Sequence, residues 1–171
     1  MSTVDMSAID MASVYARISR VSDQTALHPF PTWGEFLAAH RDLMEVLADE
    51  LDEEAHLPLA WFDVLGQLSL VADGTLRMQE LSRRLLVSKS GLSKLFSRIE
   101  VAGLVRRQPC PEDLRGTFAT LTDAGRAALK RALPVHQRGI QRYFMDPLTE
   151  EELRSFSSGL PKIRAAARPS R

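Results

Sequence analysis

The chain has 171 residues, 44% of them apolar and 26% charged, and its 22 basic side chains balance its 22 acidic ones. That is apolar material for one compact domain, or for a protomer that adds dimerising helices, and no run of about 18 apolar residues is available to span a bilayer. A single cysteine, four scattered histidines (His28, His40, His56 and His136) and the lack of GxxxxGK(S/T), GxGxxG and GxSxG patterns exclude an internal disulfide, a sequence-local metal site, the usual phosphate cradles and a nucleophile elbow.

Residues 1–31 are weakly patterned and end in "HPFP", so they read as an N-terminal arm or short helix. They carry no basic n-region followed by an apolar h-region, and a cytoplasmic protein is expected. Residues 32–57 form one long amphipathic helix: Thr32 and Glu35 are spaced as a capping box, and Phe36, Leu37, Leu43, Val46, Leu47 and Leu51 recur at helical spacing. The pattern restarts at Pro58, is apolar nearly all round through Leu70 as in a buried helix, and turns at Asp73-Gly74.

Two helical patterns follow across a very short turn. Leu81 and Leu85 lie four apart in the first; Ser88 then precedes a helix whose Leu92, Leu95, Phe96 and Ile99 share one face. Projected at about 100° per residue, Ser90, Ser93, Lys94, Ser97 and Arg98 fall on the other side. Small hydroxyls permit close approach to base edges, and cations neutralise phosphates, so this front suits a DNA major groove. "GLVRRQ" and "GTFATL" then alternate as two strands joined by "PCPEDLR", a helix-turn-helix followed by a β-hairpin. Thr122 caps a further helix to about Phe144, bent or broken at Pro134, and Thr149 and Glu152 form a second capping box ahead of Leu153, Phe156, Leu160 and Ile163.

The zero net charge conceals two blocks. Trp33 to Asp73 holds one basic residue against ten acids, whereas Thr75 to Gly116 holds nine basic residues against four acids. A basic block over the helix-turn-helix and hairpin points to a polyanion.

The order "LPLAWFDVLGQLSL", "LSRRLLVSKSGLSKLFSRIEVAGLVRR", "EDLRGTFATLTDAGRAAL" and "PLTEEELRSFSSGLPKI" resembles the multiple antibiotic resistance regulator (MarR) family over about residues 33–164. Asp113, Arg115, Gly116, Leu121, Thr122 and Gly125 match its most specific motifs. The resemblance implies a mostly α protein with a small β-hairpin wing, a winged helix-turn-helix at 58–121 flanked by the N-terminal dimerisation helix at 32–57 and by C-terminal helices at 122–164, with a disordered tail at 165–171. It implies a homodimeric transcription factor, expected to be a repressor of a pseudo-palindromic double-stranded operator, with no enzymatic activity, no cofactor and no membrane partner. The expected DNA contacts are Ser88, Lys89, Ser90, Ser93, Lys94, Ser97 and Arg98 on the recognition helix and Arg107, Asp113 and Arg115 in the wing, with Asp113 orienting Arg115 toward a narrow minor groove. Two positions depart from the family pattern: a small residue or glycine is usual near Leu86, and alanine where Ser82 stands.

A small-molecule effector, possibly an acidic aromatic, is the expected release signal, with Trp33, His40, Arg41, Trp61, Phe62 and His136 as candidate lining. Two alternatives stand beside it: a redox-responsive regulator acting through Cys110, which lies near Arg106 and Arg107, and a winged-helix dimer that binds DNA or protein without any ligand.

Overall fold

The computed structural model describes residues 29–110 and 113–167, with side chains at 31–110 and 116–167. In chain order it contains α1 (Pro29–Ala55), α2 (Leu59–Ser69), β1 (Thr75–Arg77), α3 (Met78–Leu85), α4 (Lys89–Val101), β2 (Val105–Cys110), β3 (Asp113–Leu121), α5 (Asp123–Ile140), a π-helical turn (Gln141–Met145) and α6 (Glu150–Ala166). No helix of the described residues is long and apolar enough to cross a membrane. The chain compacts as two units, divided inside α1 between Val46 and Leu47.

In the first unit, α1 begins at Pro29 rather than Thr32. Proline costs little in the first helical turn, where its missing N–H would have no partner, so the helix runs through Pro29 and Pro31. Thr32 is therefore inside the helix, and the capping box expected with Glu35 is not the start. Trp33 and Phe36 stack at 5.8 Å between ring centroids and stay 46% and 40% exposed.

The second unit holds the core. Leu51, Leu65, Leu68, Leu81, Leu92, Phe96 and Ile99 are essentially inaccessible and pack with Val105, Ala119 and Ala132. The end of α1 lies on α5: Gly139 leaves no room for a Cβ against Leu47 and Glu50, Tyr143 donates a hydrogen bond to Glu50 at 2.7 Å, and Arg138 pairs with Glu54. α5 is continuous through Pro134, so of the bend or break expected there the break does not occur. The irregularity comes later, as the π turn.

The wing is larger than the two-stranded hairpin read from the sequence. Its sheet has three antiparallel strands in the order β1-β3-β2, with Leu76 paired to Ala119 on one side of β3 and Arg107 paired to Ala119 on the other. Pro109 and Cys110, expected in the loop, belong to β2, which bulges between them. β2 is an edge strand, where proline's lost donor is tolerated. Both later caps form as expected: the Gly125 N–H donates to Thr122 Oγ1 at 3.0 Å, and Thr149 and Glu152 cap α6 reciprocally. α6 reaches Ala166, into the segment expected to be tail.

Candidate nucleic-acid interface

The helix-turn-helix is built on a turn without glycine. α3 is capped at its C-terminus by Leu86, whose backbone is left-handed with φ of 56° and which is 92% exposed. A left-handed leucine costs about 1–2 kcal/mol. Ser82 helps to close the turn: its buried hydroxyl donates to the Val87 carbonyl at 2.7 Å, and its own carbonyl accepts from the Val87 N–H at 3.2 Å. Ser82, where alanine is expected from the resemblance, thus braces the turn at Leu86, near which a small residue or glycine is expected.

Ser88 caps α4, accepting from the Gly91 N–H at 3.1 Å. Leu92, Phe96 and Ile99 bury one face of the helix, and Ser88, Lys89, Ser90, Ser93, Lys94, Ser97 and Arg98 are all exposed. Among the described residues, Lys89, Lys94 and Arg98 have no ion-pair partner, whereas Arg83 and Arg84 of α3 are both held by Glu80. Those contacts hold the Glu80 carboxyl below its usual range, the Arg84 hydrogen bond first among them.

Besides Ser88, whose hydroxyl also bonds that of Ser90 at 3.3 Å, two more residues placed in the DNA-contact set have structural partners, Arg107 and Ser97. The Arg107 guanidinium is bound to the Glu100 carboxylate, donates to the Ser93 carbonyl at 3.1 Å and the Ser97 hydroxyl at 3.0 Å, and lies 4.9 Å over the Phe96 ring. Ser97 in turn donates to the Ser93 carbonyl at 2.9 Å. Arg107 therefore straps the wing to the recognition helix. Glu100 also accepts from the Arg107 N–H at 2.7 Å and was missed by the sequence reading; its signal was an isolated acid between Arg98 and Arg106. Asp113 and Arg115 lie on the β3 backbone, and their side chains are outside the described residues. Cys110 is 2% exposed.

The six candidate effector residues fall three to each unit. In the first, His40 is exposed with its ring 6.5 Å from Phe36, and Arg41 pairs with its neighbour Asp42 at 2.9 Å. In the second, Trp61 packs half-buried on the core, and the buried Phe62 ring lies 4.5 Å from His136. Among the described residues, His136 Nδ1 is buried without a hydrogen-bond partner. Burial lowers the His136 pKa from the usual 6.5, with Asp63 opposing, and raises that of Asp63, with His136 opposing.

A histidine kept neutral in the fold protonates first in the unfolded chain, so stability falls as pH drops below about 6.5. The raised Asp63 pKa acts oppositely, favouring the fold at low pH, but from its usual 3.8 upward. Thermal melts are expected to lose stability on acidification below about pH 6.5, and His136→Gln is expected to flatten that loss. An unchanged slope in the variant would contradict it.

An exposed, cation-bearing helix over a buried back, strapped to a three-stranded wing, defines a winged helix-turn-helix of the class found in transcriptional regulators. The MarR family profile matches residues 57–116. The chain is 32% identical over 117 residues to an HTH-type transcriptional regulator of Bacillus cereus, covering 68% of this chain and 76% of that one. It is similar to Sco3205, a MarR family transcriptional regulator from Streptomyces coelicolor solved in complex with DNA, at 32% identity and a TM-score of 0.76, covering 81% of this chain and 90% of that one. AbsC, a MarR family regulator of the same organism, matches at 31% identity and a TM-score of 0.78, covering 86% of this chain and 100% of that one. The chain belongs to the MarR family of DNA-binding transcriptional regulators.

Proposed function

We propose that this regulator is a homodimeric repressor that acts in the cytoplasm, binds a pseudo-palindromic operator and is released by a small-molecule effector. The observation that carries the reading is the front of α4, where Lys89, Lys94 and Arg98 stand exposed, without an ion-pair partner among the described residues, beside the serines Ser90 and Ser93. Cations without an ion-pair partner on a helix are available to phosphates, and exposed hydroxyls to base edges. In this proposal Arg115 of the wing contacts the flanking minor groove, with Asp113 as its orienting partner.

Dimerisation is supported by apolar surface left uncovered on α6, where no residue is buried and Phe156 and Ile163, two turns apart, are 38% and 63% exposed. In the other unit, Trp33 and Phe36 of α1 are also exposed. A two-fold dimer matches a two-fold operator. The unsatisfied His136 Nδ1 beside Phe62 supports a polar aromatic effector, since a buried polar atom without a partner is costly until something pairs with it.

Fluorescence anisotropy on duplex DNA from upstream of the protein's own coding sequence tests this. Tight binding that unrelated duplex does not compete, and that benzoate as a simple acidic aromatic reverses, is expected. Deleting residues 146–171 is expected to give monomers or aggregate by sedimentation, with operator binding lost. Equal affinity for any duplex, or an intact dimer after the deletion, would contradict the reading.

A further inference from the structure

Among the described residues, the side-chain hydrogen bonds and the ion pair that join α4 to β2 all run through Arg107. The Glu100 carboxylate takes both its backbone and its side chain, the N–H on the open edge of β2 through Oε1 and the guanidinium through Oε2. The guanidinium also reaches back to the Ser93 carbonyl and the Ser97 hydroxyl and lies over the Phe96 ring. The grip therefore spans residues 93–100, about two turns of the helix. Glu100 is also an acid on the helix read as facing DNA, where a negative charge repels phosphates. A charge that lowers DNA affinity yet pairs across two elements points to a geometric task.

We propose that Glu100 and Arg107 are positioning residues for DNA recognition: their pair holds the wing at the distance and tilt from α4 at which both enter neighbouring grooves, and touches no DNA itself. The inference rests on the reading that α4 enters a major groove and that Arg115 of the wing enters the flanking minor groove. From Arg107, β2 runs on to Cys110, roughly 10 Å at about 3.3 Å per residue, toward the end of the wing that carries Arg115. A tilt of about 10° at Arg107 moves that end by about 2 Å, more than a hydrogen bond to DNA tolerates. The pair forms within the chain before DNA arrives, so binding does not have to order the wing.

The test is anisotropy titration of the full chain with scrambled duplex and with operators that carry A·T-rich or G·C-rich flanks. Glu100→Gln keeps the size of the side chain and an oxygen for the Arg107 N–H, and removes the charge that holds the guanidinium. It is expected to bind the operator about tenfold more weakly, on the scale of coupling within one hydrogen-bonded network. It is expected to bind the scrambled duplex as tightly as the parent or more so, because an acid has left the DNA side. Lost folding stability alone lowers both affinities together and cannot produce that split. The preference for A·T-rich flanks is expected to shrink in Glu100→Gln, and adding Arg115→Ala to it is expected to cost less than Arg115→Ala costs the parent. Arg107→Lys keeps the charge without the forked grip and is expected to lose operator affinity to a similar degree, whereas a simple phosphate contact would survive the exchange. Tighter binding of Glu100→Gln to both duplexes, losses of equal size on both, or an Arg107→Lys variant that binds like the parent would overturn the positioning role. If the parent binds no duplex, the regulator reading falls with it. If the parent binds and Lys94→Ala weakens it, but neither flank composition nor Arg115→Ala matters, the minor-groove reading of the wing falls and the strap's task with it. If those matter and the strap variants do not, only the positioning role falls.

Discussion

Replacing Lys94 and Arg98 together with alanine is expected to weaken binding to operator and unrelated duplex alike, by about 100-fold at low salt, and to flatten the salt dependence by about 2 units of slope. Both side chains are exposed on α4, and neither has an ion-pair partner among the described residues. Their removal therefore deletes no ion pair among the described residues, and the helix keeps its buried face of Leu92, Phe96 and Ile99. Alanine is also the better helix former, so melting temperature is expected to hold or rise slightly. Changing Ser90 or Ser93 is expected to act differently, shifting which bases are preferred with little change in slope, because a hydroxyl at a base edge releases no counterion. Unchanged affinity and slope in the Lys94/Arg98 variant would show that this face of α4 is not the DNA surface.

The second large effect is on stability. Gly125→Ala places a Cβ against the Leu104 carbonyl and the Leu121 side chain. The carbonyl is backbone, and it cannot swing aside as a side-chain tip can. Thr122 fixes the same corner, accepting from Gly125 at 3.0 Å and donating to the Gly103 carbonyl at 2.8 Å. Overpacking of this kind costs about 1–3 kcal/mol, a loss of about 2–4 °C in Tm per kcal/mol for a chain of this size. Gly66→Ala is the control: it is helical in α2 with nothing within 4 Å of an added Cβ, and is expected to be neutral or stabilising. Equal melting of Gly125→Ala and Gly66→Ala would remove the steric role.

Why some of this was legible and some was not follows from the range of the forces involved. α4 could be read because its burial repeats every three to four residues and Ser88 marks its start, both local signals. The caps at Thr122 and Thr149 were legible for the same reason. β1 was not: three residues, Thr75–Arg77, are too few to show alternation, and their pairing with Thr120, Ala119 and Phe118 is a contact more than 40 residues away. The start of α1 was misplaced because a threonine with a glutamate three residues on outweighed two prolines that the first turn tolerates. At the interface, sequence put Arg107 with the DNA-facing cations because charge alone cannot show that Glu100, seven residues earlier, folds back to meet it. Gly125 was matched as a motif residue, but the reason it must lack a side chain, the Leu104 carbonyl, is visible only once the wing closes on α5.

Selecting bound duplexes from a random-sequence library tests the dimeric, groove-reading regulator most directly. A two-fold dimer with one α4 in each of two successive major grooves is expected to enrich two inverted half-sites about 10 base pairs apart, centre to centre, or a multiple of that. A·T-rich flanks are expected outside them, lost when Arg115 is replaced by alanine. Enrichment of a single unpaired half-site, or of no sequence at all, would contradict it.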